Sequence, residues 1–362
     1  MAFKRMEIER WFDQYQFETE FDIGESGIKF KTLDDLDIDV GKIQLRYGHH
    51  QGDPQLREQI AVDYPGFGIE NILVTNGASE AIFTVVASLV SPDEQVIVEF
   101  PNYPTLYEVP LSLNRDTKYA RLRFENRFQL DVDALIEQIE PNTKLIMLTH
   151  PNNPTGSNIS MEDLQRVVDV VESKNLYLLL DETYREMTFG QPLPPAALLS
   201  DRVLSITSMS KTYSVPGVRI GWIAGSPELN EMYLATREQV TICNSSISER
   251  IALFVLQRKA DLLESNRALI KQNFEIFKGW IEPRTDLEWI PTEGGVVAFP
   301  RMTNRTSSQA MCEYLIETYK TFVVPGYVFG MPEHFRIGFG CDTDELTAGL
   351  ENLDKALMHF IK

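Results

Sequence analysis

Between residues 70 and 225 the chain alternates short apolar runs with amphipathic stretches, a pattern few architectures accept. Asn71–Thr75, Gln95–Phe100, Lys144–Thr149, Leu176–Leu180 and Val203–Thr207 read as strands. Ser79–Val90 and Met161–Lys174 read as helices, the latter with Leu164, Val167, Val168 and Val171 on one face. Strands that are apolar throughout, without in–out alternation, are buried on both faces. Separated by helical crossovers, they predict a mostly parallel sheet covered by helices on both sides.

After Gly225 the pattern changes. Residues 227–264 and 265–279 read as largely helical, followed by a strand near Gly295–Phe299, a helix over Ser307–Tyr319 and a short run Phe335–Phe339. Leu346, Leu350, Leu353 and Leu357 then mark a helix over Thr343–Phe360. We expect an α/β protein with a large domain over 41–265 and a smaller α/β domain over 266–362. Residues 1–40 have no room for a core of their own and are expected to pack on the smaller domain.

Several classes of function are disfavoured. Asp and Glu number 53 against 34 Lys and Arg, a net charge of −19, which opposes binding to nucleic acid. No run reaches the length of apolar chain a membrane helix needs, and the N-terminus shows no apolar secretory core, so a cytoplasmic location is expected. Cys243, Cys312 and Cys341 are too scattered for a disulfide framework, and the histidines form no metal motif, so no metal is expected. No Gly-x-Gly-x-x-Gly fingerprint follows a strand, which disfavours a dinucleotide.

In an open parallel sheet, ligands bind beyond the carboxyl ends of the strands, so the polar residues there carry the functional reading. Asn76-Gly77-Ala78-Ser79 opens a helix, where free N–H groups and the positive helix end favour an anion; Ser79 is equally suited to capping. Tyr103, between Pro101 and Pro104, can stack on a flat ring or simply pack. His150-Pro-Asn-Asn153-Pro-Thr-Gly156 is a rigid turn that offers amide groups, and His150 is expected to be packed or hydrogen-bonded rather than a base. Asp181 follows buried leucines, so it requires a cation, either a protein side chain or a protonated ring nitrogen. Lys211 sits among hydroxyls in Ser208-Met-Ser210-Lys211-Thr-Tyr-Ser, eight residues before Arg219, and a desolvated lysine can form a Schiff base.

Taken in order, these motifs resemble the class I/II aminotransferases, the fold-type I family of pyridoxal-5′-phosphate (PLP) enzymes, over roughly residues 20 to 360. The resemblance implies that Lys211 holds PLP as a Schiff base and shuttles the substrate's α-proton, and that Asp181 pairs with the pyridinium nitrogen. It implies that Tyr184 and Asn153 bind the phenolic oxygen and that Tyr103 stacks on the ring. Gly77, Ala78, Ser208, Ser210 and Arg219 would hold the phosphate, with Ser79 in the same turn. Arg336 in Phe335-Arg-Ile-Gly-Phe339 would clamp the substrate α-carboxylate, which Asn153 would also touch. Tyr47 would reach the phosphate of a second subunit, so a homodimer with shared active sites is expected.

The activity this implies is ping-pong transfer of an amino group between an L-amino acid and a 2-oxo acid. The stretch Asp22-Ile-Gly-Glu25-Ser26-Gly-Ile28 departs from the family's usual Gly-x-Gly-x-Pro run. Together with Glu7-x-x-Trp it is similar to the capreomycidine-synthase branch, which leaves open cyclisation or oxidation of an arginine derivative, or β-elimination, on the same scaffold. Glu25 is expected either to read a basic substrate side chain or to be solvated or paired with Lys29 or Lys31. A cofactor-sensing regulator would need an added basic DNA-binding module, for which the chain has no residues left over.

Overall fold

The computed structural model describes residues 3–360. Its centre is a seven-stranded sheet. In chain order the strands are β1 (Ile72–Thr75), β2 (Gln95–Phe100), β3 (Asp116–Arg121), β4 (Thr143–Thr149), β5 (Tyr177–Asp181), β6 (Val203–Ser208) and β7 (Gly221–Ala224). Their spatial order is β1-β7-β6-β5-β4-β2-β3. All pairs are parallel except those made by β7, which runs antiparallel to β1 and β6.

The continuous apolar runs arise because both faces are covered. On β5, Leu179 packs with Ile82, Val86 and Tyr233 on one side, while Leu178 and Leu180 pack with Leu164, Val167 and Val171 on the other. The helix Gly77–Leu89 covers the first face and Met161–Ser173 the second. Strand β3 has no counterpart in the sequence reading. It lies at the sheet edge, is only partly buried, and reads Asp-Thr-Lys-Tyr-Ala-Arg, so it lacks the apolar signature.

In the C-terminal part, Val297–Ala298 and Val324–Pro325 flank Phe335–Gly338 in an antiparallel sheet, packed near the helices Gln309–Tyr319 and Thr343–Phe360. The helix Lys259–Ile281 runs unbroken through residues 265 and 266. The N-terminal segment is tied to the C-terminal part by long-range backbone bonds. Phe21–Asp22 pairs in parallel with Thr321–Phe322, and the Gly338 N–H donates to the Ile23 carbonyl at 2.8 Å. Trp11 is buried and its indole N–H donates to the Val323 carbonyl at 2.9 Å.

Strand β7 sits directly beneath the turn that follows β1. A Cβ on Gly221 would stand 2.7 Å from the Gly77 carbonyl carbon, 2.7 Å from the Thr207 carbonyl oxygen and 2.9 Å from the Ala78 nitrogen, all backbone atoms. The contact cannot be relieved by a rotamer change, so one strand must move. Gly221→Ala is therefore expected to lower the thermal unfolding midpoint by several degrees. An unchanged midpoint would show that the turn shifts freely.

Candidate active site

The carboxyl ends of β1, β4, β5 and β6 open onto a cavity of about 450 Å³. Its wall brings together Ala78, Ser79, Tyr103, Asn153, Asp181, Tyr184, Ser208, Ser210, Lys211, Arg219, Arg336 and Glu25, residues drawn from most of the chain's length.

At one end is an anion cradle. Gly77 begins its helix at φ +75°, a left-handed conformation that favours glycine, and a Cβ there would lie 2.7 Å from an Arg219 Nη2. Arg219 reaches back into this space and donates from Nη1 to the Ser210 hydroxyl at 3.3 Å and to the Pro216 carbonyl at 3.0 Å. The Ser208 hydroxyl accepts from the Ser210 N–H at 3.3 Å. Helix N-terminal N–H groups, two hydroxyls and a guanidinium thus converge on one point.

In the middle lies Asp181, at the end of β5. Its carboxylate accepts from the Thr183 N–H at 3.0 Å and the Thr183 hydroxyl at 2.7 Å. Burial pushes its carboxyl up, and among the described residues only the Thr183 bonds oppose this, with no cation contributing. Lys211 is on the turn after β6. That turn is pinned from the long helix by Asn266, which donates to the Thr212 carbonyl at 2.9 Å and the Ser214 hydroxyl at 3.0 Å.

At the far end Arg336 is 1% exposed. It donates to the Gly24 carbonyl from Nη2 at 2.8 Å and from Nε at 3.2 Å, and to Asn153 Oδ1 from Nη1 at 3.1 Å. The Tyr184 hydroxyl donates to the Ser26 carbonyl at 2.8 Å, and the Tyr103 hydroxyl to Glu9 Oε1 at 2.9 Å. Burial, then Glu9, pushes the Tyr103 phenol up to about 12.

One expectation needs revision. Glu25 is neither solvated nor paired with Lys29 or Lys31. Its Oε1 lies 2.5 Å from Lys211 Nζ, while Lys29 bridges to Asp342. Tyr47, expected to reach a second subunit, lies outside its own chain's cavity: it is 82% exposed and lines a separate pocket with Arg46, His49 and Arg250.

Other parts of the site escaped the sequence reading. Ile8, Glu9, Phe12, Asp13 and Gln16 of the helix Glu7–Tyr15 and its C-terminal end line the cavity. The helical spacing of Ile8, Trp11, Phe12 and Tyr15 was the available signal. Glu99, inside an apparently apolar strand, is fully buried. It accepts from the Thr149 N–H at 3.0 Å and from Asn152 and Asn102 at 2.9 and 3.2 Å, joining the turns after β2 and β4. His150 lies 3.1 Å from its other oxygen and is packed, so its place is structural.

An α/β sheet of this order with these groups at its carboxyl edge is the architecture of a fold-type I PLP enzyme. The sequence matches the profile of the family "Aminotransferase class I and II" over residues 30–353, and the chain belongs to that family. It is 30% identical to capreomycidine synthase of Streptomyces vinaceus, covering 97% of this chain and 93% of that protein. A PLP-dependent aminotransferase from Streptococcus suis superposes over 100% of both chains with a TM-score of 0.95 and 29% identity. The PLP-dependent cyclase OrfR superposes over 99% of this chain and 98% of its own with a TM-score of 0.92 and 26% identity.

The cofactor of the family is PLP, and the residues present fit it. Asp181 is a buried carboxylate awaiting a cation, and the Gly77–Arg219 cradle is a space that any side chain at residue 77 would fill. No described helix is long and apolar enough to cross a membrane.

Beside Asp181, Glu182 is buried and accepts from the Ala196 N–H at 2.7 Å. Burial pushes its carboxyl up to about 7 from 4.5, with Arg185 opposing. Between those values the folded state keeps a proton that the unfolded chain releases, so stability falls as pH rises through that window, by about 3 kcal/mol at most. The melting-point advantage of Glu182→Gln over the parent is expected to be small at pH 5 and to grow by pH 8. A constant difference across that range would contradict this reading.

Proposed function

We propose that the protein is a PLP-dependent aminotransferase moving an amino group between an L-amino acid and a 2-oxo acid in two half-reactions. One observation carries this reading: Lys211, Asp181 without a protein cation, and the Arg336–Asn153 pair face the same cavity. Bound PLP supplies an electron sink for the substrate's α-carbon.

The chain's own groups do the rest. Asp181 keeps a cationic ring nitrogen in place, and the Gly77 cradle with Ala78, Ser79, Ser208, Ser210 and Arg219 anchors the phosphate. Tyr103 would stack on the ring. Tyr184 and Asn153 offer hydrogen bonds to its phenolic oxygen. Arg336 and Asn153 orient the α-carboxylate, which leaves the α-hydrogen facing Lys211. Lys211 Nζ takes that proton up and returns it. Tyr47, exposed on another face, belongs in this proposal to a homodimer in which it reaches the second subunit's phosphate.

Substrate choice follows from charge. The cations on the cavity wall are Lys211, Arg219 and Arg336, and each already has a role, while Glu9, Asp13 and Glu25 add carboxylates. Among the described residues this chain's own wall leaves no cation for a second substrate carboxylate, so as far as this subunit's groups decide, a basic or neutral side chain is favoured over an acidic one. This observation also favours a second reading, cyclisation of a guanidino amino acid, supported by the names of the capreomycidine synthase relative and the OrfR cyclase.

The two reactions differ in stoichiometry. Transamination without an oxo-acid acceptor stops after one equivalent of amino acid per site, whereas cyclisation or elimination continues. We expect turnover to depend on the acceptor; sustained consumption without it would replace the first reading with the second. Arg336→Lys removes the bidentate geometry and is expected to raise KM for the amino acid about ten- to a hundredfold, or about 1.5–3 kcal/mol, with a smaller effect on kcat. An unchanged KM would remove Arg336 from the carboxylate site.

A further inference from the structure

Resting on the assignment of Lys211 as the cofactor lysine, we propose that Glu25 is its positioning residue: it holds the ε-amino group in the cavity and steadies it whenever Nζ carries a proton. The observation is the 2.5 Å contact between Lys211 Nζ and Glu25 Oε1, made by residues 186 positions apart in sequence.

The backbone around Glu25 is fixed on every side, so its side chain is aimed rather than adrift. The Gly24 and Glu25 N–H groups donate to Asp22 Oδ1 at 3.0 and 2.9 Å. The Gly24 carbonyl accepts from Arg336, and the Ser26 carbonyl accepts from the Tyr184 hydroxyl at 2.8 Å. Gln16 holds the far side, lying 3.4 Å from Glu25 Oε2 and 2.8 Å from Asp22 Oδ2. The side chains of Glu25 and Lys211 are 17% and 27% exposed, so water screens the pair only in part.

Charges of both signs surround the pair. Lys211 faces Glu25, Tyr184 and Arg336, and Glu25 faces Lys211, Arg336 and Asp22. Asp181 stands on the same cavity wall, and behind Glu25 a second pocket of about 220 Å³ carries Lys29, Asp342 and Glu345. Burial disfavours the charged lysine, yet Glu25, followed by Tyr184, holds it above its ordinary range. Burial likewise disfavours the carboxylate, and Lys211, then Arg336, hold Glu25 below its own.

The proton balance is simple. When a C–H bond at the substrate α-carbon breaks, the proton goes to Nζ. Glu25 remains a carboxylate and accepts a hydrogen bond from the resulting ammonium. It thereby makes Lys211 a stronger base and offsets the repulsion of its ammonium by Arg336.

The test is competitive acetylation of the PLP-free full-length protein between pH 6 and 11, with peptides quantified by mass spectrometry and exposed lysines as internal reference. In the wild type, Lys211 should react more slowly than the exposed lysines at pH 8 and reach half-reactivity at a higher pH than they do. In Glu25→Gln, its relative reactivity at neutral pH should rise about tenfold, with the midpoint moved to lower pH, and Glu25→Asp should lie between. A wild-type Lys211 that titrates at or below the exposed lysines overturns the proposal even if the variants fail to fold. An unmoved midpoint in folded Glu25→Gln overturns it too. Adding PLP first should protect Lys211; absence of protection would instead remove the assignment of the cofactor lysine.

Discussion

The site is organised around Asp181, a buried carboxylate to which no cation among the described residues contributes. Asp181 ends a strand whose other buried side chains are leucines, and only Thr183 hydrogen-bonds its side chain. Removing such a charge from water is costly unless an opposite charge joins it. In the proposed reading, a cationic ring nitrogen would complete the pair when PLP is bound. Much of the surrounding structure then serves geometry. On that proposal the cradle at Gly77 would set where the phosphate end lies, and Lys211 where the reactive carbon must be.

The parallel sheet assembles these groups because its carboxyl ends all open on one side. The turn after β1 supplies the cradle, the turn after β4 supplies Asn153, β5 ends in Asp181, and the turn after β6 carries Lys211. Glu99 couples the turns after β2 and β4 through one buried carboxylate, so neither turn moves alone. The remaining wall comes from outside the sheet. Arg336 lies on the C-terminal sheet, and Gly24, Glu25 and Ser26 reach it from the N-terminal segment. Substrate-facing chemistry is thus held by the parts of the chain most distant in sequence.

That division explains what the sequence disclosed. The buried strands were legible because five of them are predominantly apolar, and the residues after them could be inspected in turn. Lys211, Asp181 and Arg219 stood out because each is a charge beside a strand end. β3 was not legible, since an edge strand needs no apolar pattern. Glu99 was hidden because a single carboxylate inside an apolar strand has no local reason to be there; its partners lie in two other turns. Glu25 was noticed but given the wrong neighbours, because sequence proximity suggested Lys29 and Lys31 while the fold brought Lys211. The helix Glu7–Tyr15 advertises an apolar face, but nothing in its spacing says that Ile8 and Phe12 border a cavity and Trp11 does not.

The central claim is that Lys211 carries the cofactor opposite Asp181. Borohydride reduction of the PLP-loaded protein, followed by peptide mass mapping, tests it most directly. The account predicts a single pyridoxyl adduct on the peptide containing Lys211. An adduct on any other lysine, or none in protein that has bound PLP, would contradict it.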